Sequence, residues 1–267
     1  MTRFVGAARA IAIGLAGAVL GGCALDGRPG ARTLWEAFSP VTPGEAALMA
    51  LDEEDPDRRF RGTMLLANAP WGGEEVYLVL YRDYIEDSEP NVRAAAARAL
   101  GNHGSPADAA LLVRALEDPE PMVRIEAAQA LQRLHSPDAV PAMLRRLRRD
   151  IEPDPDIRAE IAHGLGQYAE RRVLDELVRA MNDRSLRVIH NASLSLKTLT
   201  GQDFGYDHRA WARWVADARD PFAARRAYVY PAFYREKFFL EYLPFTREPP
   251  NEQAASPAGM SPELGVR

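Results

Sequence analysis

Residues 89–101 read EPNVRAAAARALG, and five of the seven residues from Arg93 to Ala99 are alanine. Alanine is the best intrinsic helix former, but a helix with so little bulk fills an ordinary core poorly. Its small face suits a different use: it lets the axis of a neighbouring helix come close. The front of the stretch, Glu89-Pro90, has the chemistry of a helix start. The fixed φ of proline fits the first turn, where its missing N–H costs nothing. The acid complements the free N–H groups and the positive end of the helix dipole.

The stretch has relatives inside the chain. DPDRRFRGTMLL, EPMVRIEAAQAL, DPDIRAEIAHGL and SLRVIHNASLSL align with it, anchored at Arg59, Arg93, Arg124, Arg158 and then Ile189. A leucine follows each anchor by seven residues: Leu66, Leu100, Leu131, Leu165 and Leu196. The position four after each anchor is small, namely Thr63, Ala97, Ala128, Ala162 and Ser193. Apolar residues recur between these columns in steps of three and four, which marks one buried helix face per copy. A second apolar segment follows each first helix, most clearly at 107–118, 138–150 and 171–183. Gly101, Gly104 and Ser105-Pro106 read as the turn between two such helices. Pairs of antiparallel helices recurring every 31–34 residues predict an all-α fold, an α-solenoid of about five helical hairpins.

The ExPxVRxxAAxAL pattern resembles HEAT repeats, in particular the short class named after phycobilisome lyases. The resemblance covers roughly residues 52–200. It departs at the ends, where Arg58 replaces the apolar residue before the anchor and Ile189 replaces the anchor arginine. Arg187 is an alternative last anchor, but it misplaces Leu196. The resemblance implies that Arg59, Arg93, Arg124 and Arg158 pair with nearby acids in a ladder between repeats. It also implies that the second helices line the concave side. There Arg145, Arg146, Arg148 and Arg149 flank Leu144 and Leu147, as a solvated face or, less simply, an acid-binding groove.

The N-terminus reads as an address. Arg3 and Arg9 precede a short uncharged apolar run, Ala10–Leu20, in the order of a signal peptide and too short to span a bilayer stably. Leu20-Gly21-Gly22-Cys23 resembles the lipobox of bacterial lipoproteins, which implies thioether lipidation of Cys23 and cleavage just before it. Ala24, rather than Asp, after the cysteine implies outer-membrane sorting, with the body facing the periplasm. Cys23 is the only cysteine, so no internal disulfide or multi-cysteine metal site is available.

The domain reading that follows is a lipoprotein signal peptide at 1–22, a tether and short helix at 23–51, and a HEAT-repeat solenoid at 52–200. A C-terminal cap at 201–245 and a disordered tail at 246–267 complete it. Within the tether, Trp35 and Phe38 form a small docking point, and Thr42-Pro43-Gly44-Glu45 has capping-box spacing. The cap opens with LTGQDFGYDHRAWARWVADA, residues 199–218. This resembles the end segment of bacterial HEAT-repeat lipoproteins and places Trp211 and Trp214 on one helical face. Nine aromatics then crowd residues 222–245, either wrapping the last repeats or docking a partner; Tyr230 and Phe233 are the candidate contacts, beside Arg145, Arg146 and Arg149.

Apolar residues make up 47% of the chain and charged ones 27%, the range of a folded protein. The formal charge of −5 lacks the basic excess of a nucleic-acid binder, and no nucleic-acid partner is expected. His103, His135, His163, His190 and His208 stand in no His-Glu pair and at no metal spacing with one another. There is no GxSxG, P-loop, HExxH or GxGxxG motif in context. The expectation is therefore a non-enzymatic scaffold with no catalytic residues, no cofactor, no metal and no small-molecule substrate. It would be anchored by Cys23 and bind another envelope protein. The alternative from the resemblance is a HEAT-repeat enzyme of the phycobilin lyase or deoxyhypusine hydroxylase type.

Overall fold

The structure, a computed structural model, describes residues 41–230, 236–238, 242 and 255–260. The leader, Cys23, Trp35, Phe38 and Phe233 lie outside the described residues. Helix α1 (Pro43–Ala50) is followed by five helix pairs. These are α2 (Pro56–Ala67) with α3 (Glu75–Tyr84), α4 (Pro90–His103) with α5 (Ala109–Ala115), and α6 (Pro121–Arg133) with α7 (Val140–Leu147). Then come α8 (Pro155–Gly164) with α9 (Arg171–Ala180), and α10 (Leu186–Thr200) with α11 (His208–Asp217). Among the described residues there is no strand beyond one isolated parallel bridge, Leu134 to Ala258.

The pairs build two layers. Helices α1, α2, α4, α6, α8 and α10 stack side by side as the first layer, and α3, α5, α7 and α9 pack behind it. Each of these second helices lies against the first helix of the following repeat, while α11 lies beside α9. The alanine face of α4 is where the stack closes: Ala94, Ala95, Ala96, Ala97 and Ala99 are all buried, between α2 and α6. Larger side chains there would push the neighbouring axes apart.

Glycine takes the same economy further. Gly101, which the sequence assigns to a turn, is instead buried inside α4. A Cβ there would stand 2.7 Å from the Cα of Ala130 on α6. Gly62 on α2 is tighter still, since a Cβ would meet the Ala50 backbone nitrogen at 2.1 Å. Both positions are held open by a close approach of backbones, not by a turn.

The helix starts differ in detail from the sequence expectation. Asp55 and Asp154 cap α2 and α8, accepting from Asp57 N (3.0 Å) and Asp156 N (2.8 Å). Glu89 and Glu120 make no side-chain cap bond. The acid two residues earlier takes over: Asp87 accepts from Glu89 N at 2.8 Å, and Asp118 from Glu120 N at 2.9 Å.

The C-terminal part departs most. Residues 255–260 belong to the expected disordered tail, yet they pair with the solenoid. His135 N donates to Ala258 O (2.8 Å), Ala258 N donates to Arg133 O (2.7 Å), and Pro257 is buried. The reason is geometric. The carbonyls at the end of α6 have no partner within their own helix, and a segment of small residues can lie close enough to reach them. Gly259, at φ +83°, makes the turn that a side chain would block, because its Cβ position is 2.3 Å from Pro106 Cγ.

Candidate functional site

Four arginines of the first layer make one connected structure. Arg59 donates from Nε to Asp87 (2.9 Å), Arg93 to Asp118 (2.7 Å), Arg124 to Glu152 (2.7 Å) and Arg158 to Asp183 (3.1 Å). Each uses Nη2 for a second bond to the same carboxylate, the bidentate fork that only a guanidinium offers. Each Nη1 donates back to main-chain carbonyls of the loop before its own helix, such as Asp87 O for Arg93 (2.8 Å) and Asp118 O for Arg124 (2.8 Å). The acid of one repeat therefore holds the arginine before it by side chain and the arginine after it by main chain. The chain of contacts stops at Asp183, because the next anchor is Ile189. Arg187 faces backward instead, pairing with Asp156 (2.8 Å) and Glu160 (2.6 Å) on α8.

These pairs are closed to ligands. The Glu152 side chain is 0% exposed and that of Arg124 9%. Hydrogen bonding to Asp87 and Asp118 raises the already high pKa of Arg59 and Arg93. The Arg158 partner Asp183 is held below the ordinary carboxylate range by its hydrogen bonds to Arg158 and to Ser185 N–H, which outweigh burial.

The second-layer arginines divide. Arg146 is nearly buried, sharing Glu117 (2.8 Å) with Arg145 and reaching Glu152 at 3.4 Å, which joins it to the ladder. Helix α7 ends at Leu147, and Arg148 is extended at ψ 130°, so Arg148 and Arg149 leave the helix that carries the other two. Arg148 pairs with Asp150 at 2.7 Å. Arg149 is exposed in a groove of about 540 Å³ that also holds Arg179, Asp150, Glu176 and Asp183. With Arg148, the groove carries three arginines against three acids.

The aromatic segment is tied to the body where it is described. Tyr228 is 4% exposed, with its hydroxyl 3.0 Å from His163 Nδ1. Arg133 lies over the Tyr230 ring at 4.9 Å from the centroid. His135 stacks on Tyr168 at 5.0 Å, and burial pushes the Tyr168 hydroxyl up to about 12. Nothing in the spacing of the histidines marks these pairings, because their tyrosine partners are as far as 65 residues away. Among the described residues no three His, Cys, Asp or Glu side chains come together in a way that could hold a metal ion.

Burial pushes His163 down to about 4, with His190 on α10 adding to the effect. An unfolded histidine titrates near 6.5, so the unfolded chain binds more protons between these values. Stability should therefore be complete above about pH 6.5 and fall as the pH drops toward 4. Melting temperatures of wild type and His163→Gln between pH 7 and 5 check this. The wild-type curve should decline more steeply.

Two layers of helices, joined by an arginine ladder, define an α-solenoid of helical repeats. Residues 45–120 and 80–153 match the family model of HEAT repeats. No curated protein matches the sequence. Among solved structures, the chain is similar to the complex of CpcE and CpcF of phycocyanin lyase from Nostoc sp. PCC7120, at 20% identity and TM-score 0.55, covering 70% of this chain and 71% of that one. It is also similar to YibA of E. coli, at 19% identity and TM-score 0.49, with 66% and 68% covered. A designed armadillo repeat protein aligns at 14% identity and TM-score 0.46, with 68% and 94% covered.

The first of these corrects the expectation that the chain is not an enzyme. A solenoid of this form belongs to a lyase, so the lack of familiar catalytic motifs does not set this architecture apart from enzymes. At 20% identity the likeness carries the fold, and no activity passes to this chain with it.

Proposed function

We propose that the chain is a membrane-anchored HEAT-repeat scaffold of a bacterial cell envelope. It is held through acylated Cys23 in the outer membrane, faces the periplasm, and binds another envelope protein along its second layer of helices. The observation that carries the binding part is the face of α3. Val76 and Val79, one turn apart, are 66% and 59% exposed and so present an apolar pair on one side of the helix. The anchor is supported by the order of basic front, apolar run and Leu-Gly-Gly-Cys in residues 1–23. No helix among the described residues is long and apolar enough to cross a membrane, and attached acyl chains would supply the hold at roughly 0.8 kcal/mol per buried CH₂.

One strain set tests both parts. Cys23→Ser should move the chain from the membrane fraction to the soluble one; unchanged retention would remove the anchor. A photo-crosslinking residue at Val79 should give a discrete adduct in cells that Val76→Asp weakens. A smear insensitive to that change would remove α3 as the docking face.

A further inference from the structure

The described C-terminal residues run across the ends of the first-layer helices in reverse order. Ala224 O lies 2.3 Å from where a Gly201 Cβ would stand, so only glycine, here at φ +71°, lets the chain pass the end of α10. Arg226 N then donates to Thr198 O at 2.7 Å. Tyr228 reaches α8 at His163, and Tyr230 reaches α6 at Arg133. Tyr230 N donates to Ala255 O (3.1 Å), and Ala258 pairs with Leu134 and His135 just beyond α6.

These contacts have the form of peptide recognition more than of core packing. The segment 225–230 has no helix or strand, and its main chain takes up a helix-end carbonyl that α10 leaves without a partner. Specificity sits in two side chains two residues apart, and both meet the body, Tyr228 at His163 and Tyr230 at Arg133. The first enters a built pocket. Gly166 forms one wall, where a Cβ would come within 3.3 Å of the Tyr228 ring and 2.8 Å of Ser195 Oγ, and His163 supplies a polar end to meet the hydroxyl. The second is covered by a cation, Arg133, over its face. Beside Tyr230 the fit is loose: a cavity of about 190 Å³ remains between Gly101, Gly104, Arg133, Leu134 and the strap that residues 224–230 and 255–258 form.

We propose that the row of first-layer helix ends from α6 to α10 is a binding groove for an extended Tyr-x-Tyr peptide, which this chain fills in cis with Tyr228-Val229-Tyr230. The occupant in trans would be the same short motif on another chain, admitted when the strap lifts. Occupation in cis lowers the apparent affinity for a free peptide by the fraction of molecules with an open groove.

The test uses the full chain and a fluorescent peptide of its own residues 222–232, FAARRAYVYPA. Tyr228→Ala with Tyr230→Ala leaves every groove residue in place and releases the strap. By anisotropy this variant should bind the peptide at least about tenfold more tightly than wild type, and a peptide with both tyrosines replaced by alanine should not bind. A folded double variant with no gain over wild type would overturn the groove. If the double variant loses its helical circular dichroism, Tyr228→Phe decides instead. It keeps the ring and loses only the contact with His163, so it should bind the peptide several-fold more tightly than wild type, and equality with wild type would overturn the proposal.

Discussion

Glu152→Ala should lower the stability of the solenoid by about 3–5 kcal/mol, the usual cost of removing one partner of a buried ion pair. Glu152 is fully enclosed, and three groups depend on it. Arg124 donates to it twice, Arg146 once at 3.4 Å, and Asp154 N once at 3.0 Å. Arg146 Nε is already buried without a hydrogen-bond partner, so the loss falls on a site with no slack. A marginal domain has only about 5–15 kcal/mol in hand, and the midpoint in urea should fall by a large fraction. In a solenoid, stability is the sum of repeats and of the interfaces between them. Amide exchange should therefore accelerate first in α6 and α8, on either side of the lost acid. Glu86→Ala is the control. It removes the exposed partner of Arg114, 2.8 Å away, and should change stability by no more than about 1 kcal/mol. The double change Arg124→Met, Glu152→Leu should recover part of the loss, because it removes the buried Arg124 charge while Arg146 and Asp154 N remain without Glu152. If Glu152→Ala behaves like Glu86→Ala, the ladder adds nothing to stability.

The arginines of that ladder are legible in the sequence because the repeat fixes their place. A side chain that must pass from a first-layer helix to the following loop recurs at the same step of the same helix, so Arg59, Arg93, Arg124 and Arg158 form a column. Their partners do not. Asp87, Asp118, Glu152 and Asp183 sit 25 or 28 residues downstream, in loops of unequal length, and either acid serves. The more conspicuous acids, Glu89 and Glu120 beside their prolines, draw the eye as caps and do not cap. The alanine face reads correctly because small residues at helical spacing have one simple physical use. Gly101 misleads for the same reason turned round: a glycine between two helices looks like a break, and only the position of Ala130 shows that it is a contact. The strap leaves still less trace. Its hold comes from main-chain groups, which every sequence has, and from Tyr228 and Tyr230, which look like any other members of an aromatic-rich run. The small residues at 255–259 carry the composition of a disordered tail and also the slimness needed to lie against helix ends.

Trp211→Ala should cost about 3–5 kcal/mol and free the end of the stack locally. Trp211 is fully buried, and its ring meets Phe204 edge to face with centroids 4.9 Å apart. Its indole Nε1 donates to Gly205 O at 3.0 Å. That carbonyl also accepts from Ser193 Oγ on α10 at 2.7 Å, so Trp211 ties α11, the 201–207 loop and the last first-layer helix at one point. Alanine would leave a large apolar void and withdraw one of the two donors from Gly205 O. The void cannot collapse easily: α11 is held at its start by Asp207, which accepts from Ala210 N at 3.0 Å, and near its end by Arg171, which donates to Val215 O. Trp214, on the same helix and turned further toward solvent, also meets Phe204, at 6.3 Å. Because Trp214 keeps part of its surface in water already, Trp214→Ala should cost less than half as much. Urea titration of the two variants gives the ranking, and amide exchange gives the place: protection in α11 should fall for Trp211→Ala while α4 and α6 stay as in wild type. Equal effects from the two tryptophans would mean that the end of the stack is closed by bulk alone. A loss spread evenly over all five repeats would mean that the solenoid unfolds as a single unit, with no separable end to close.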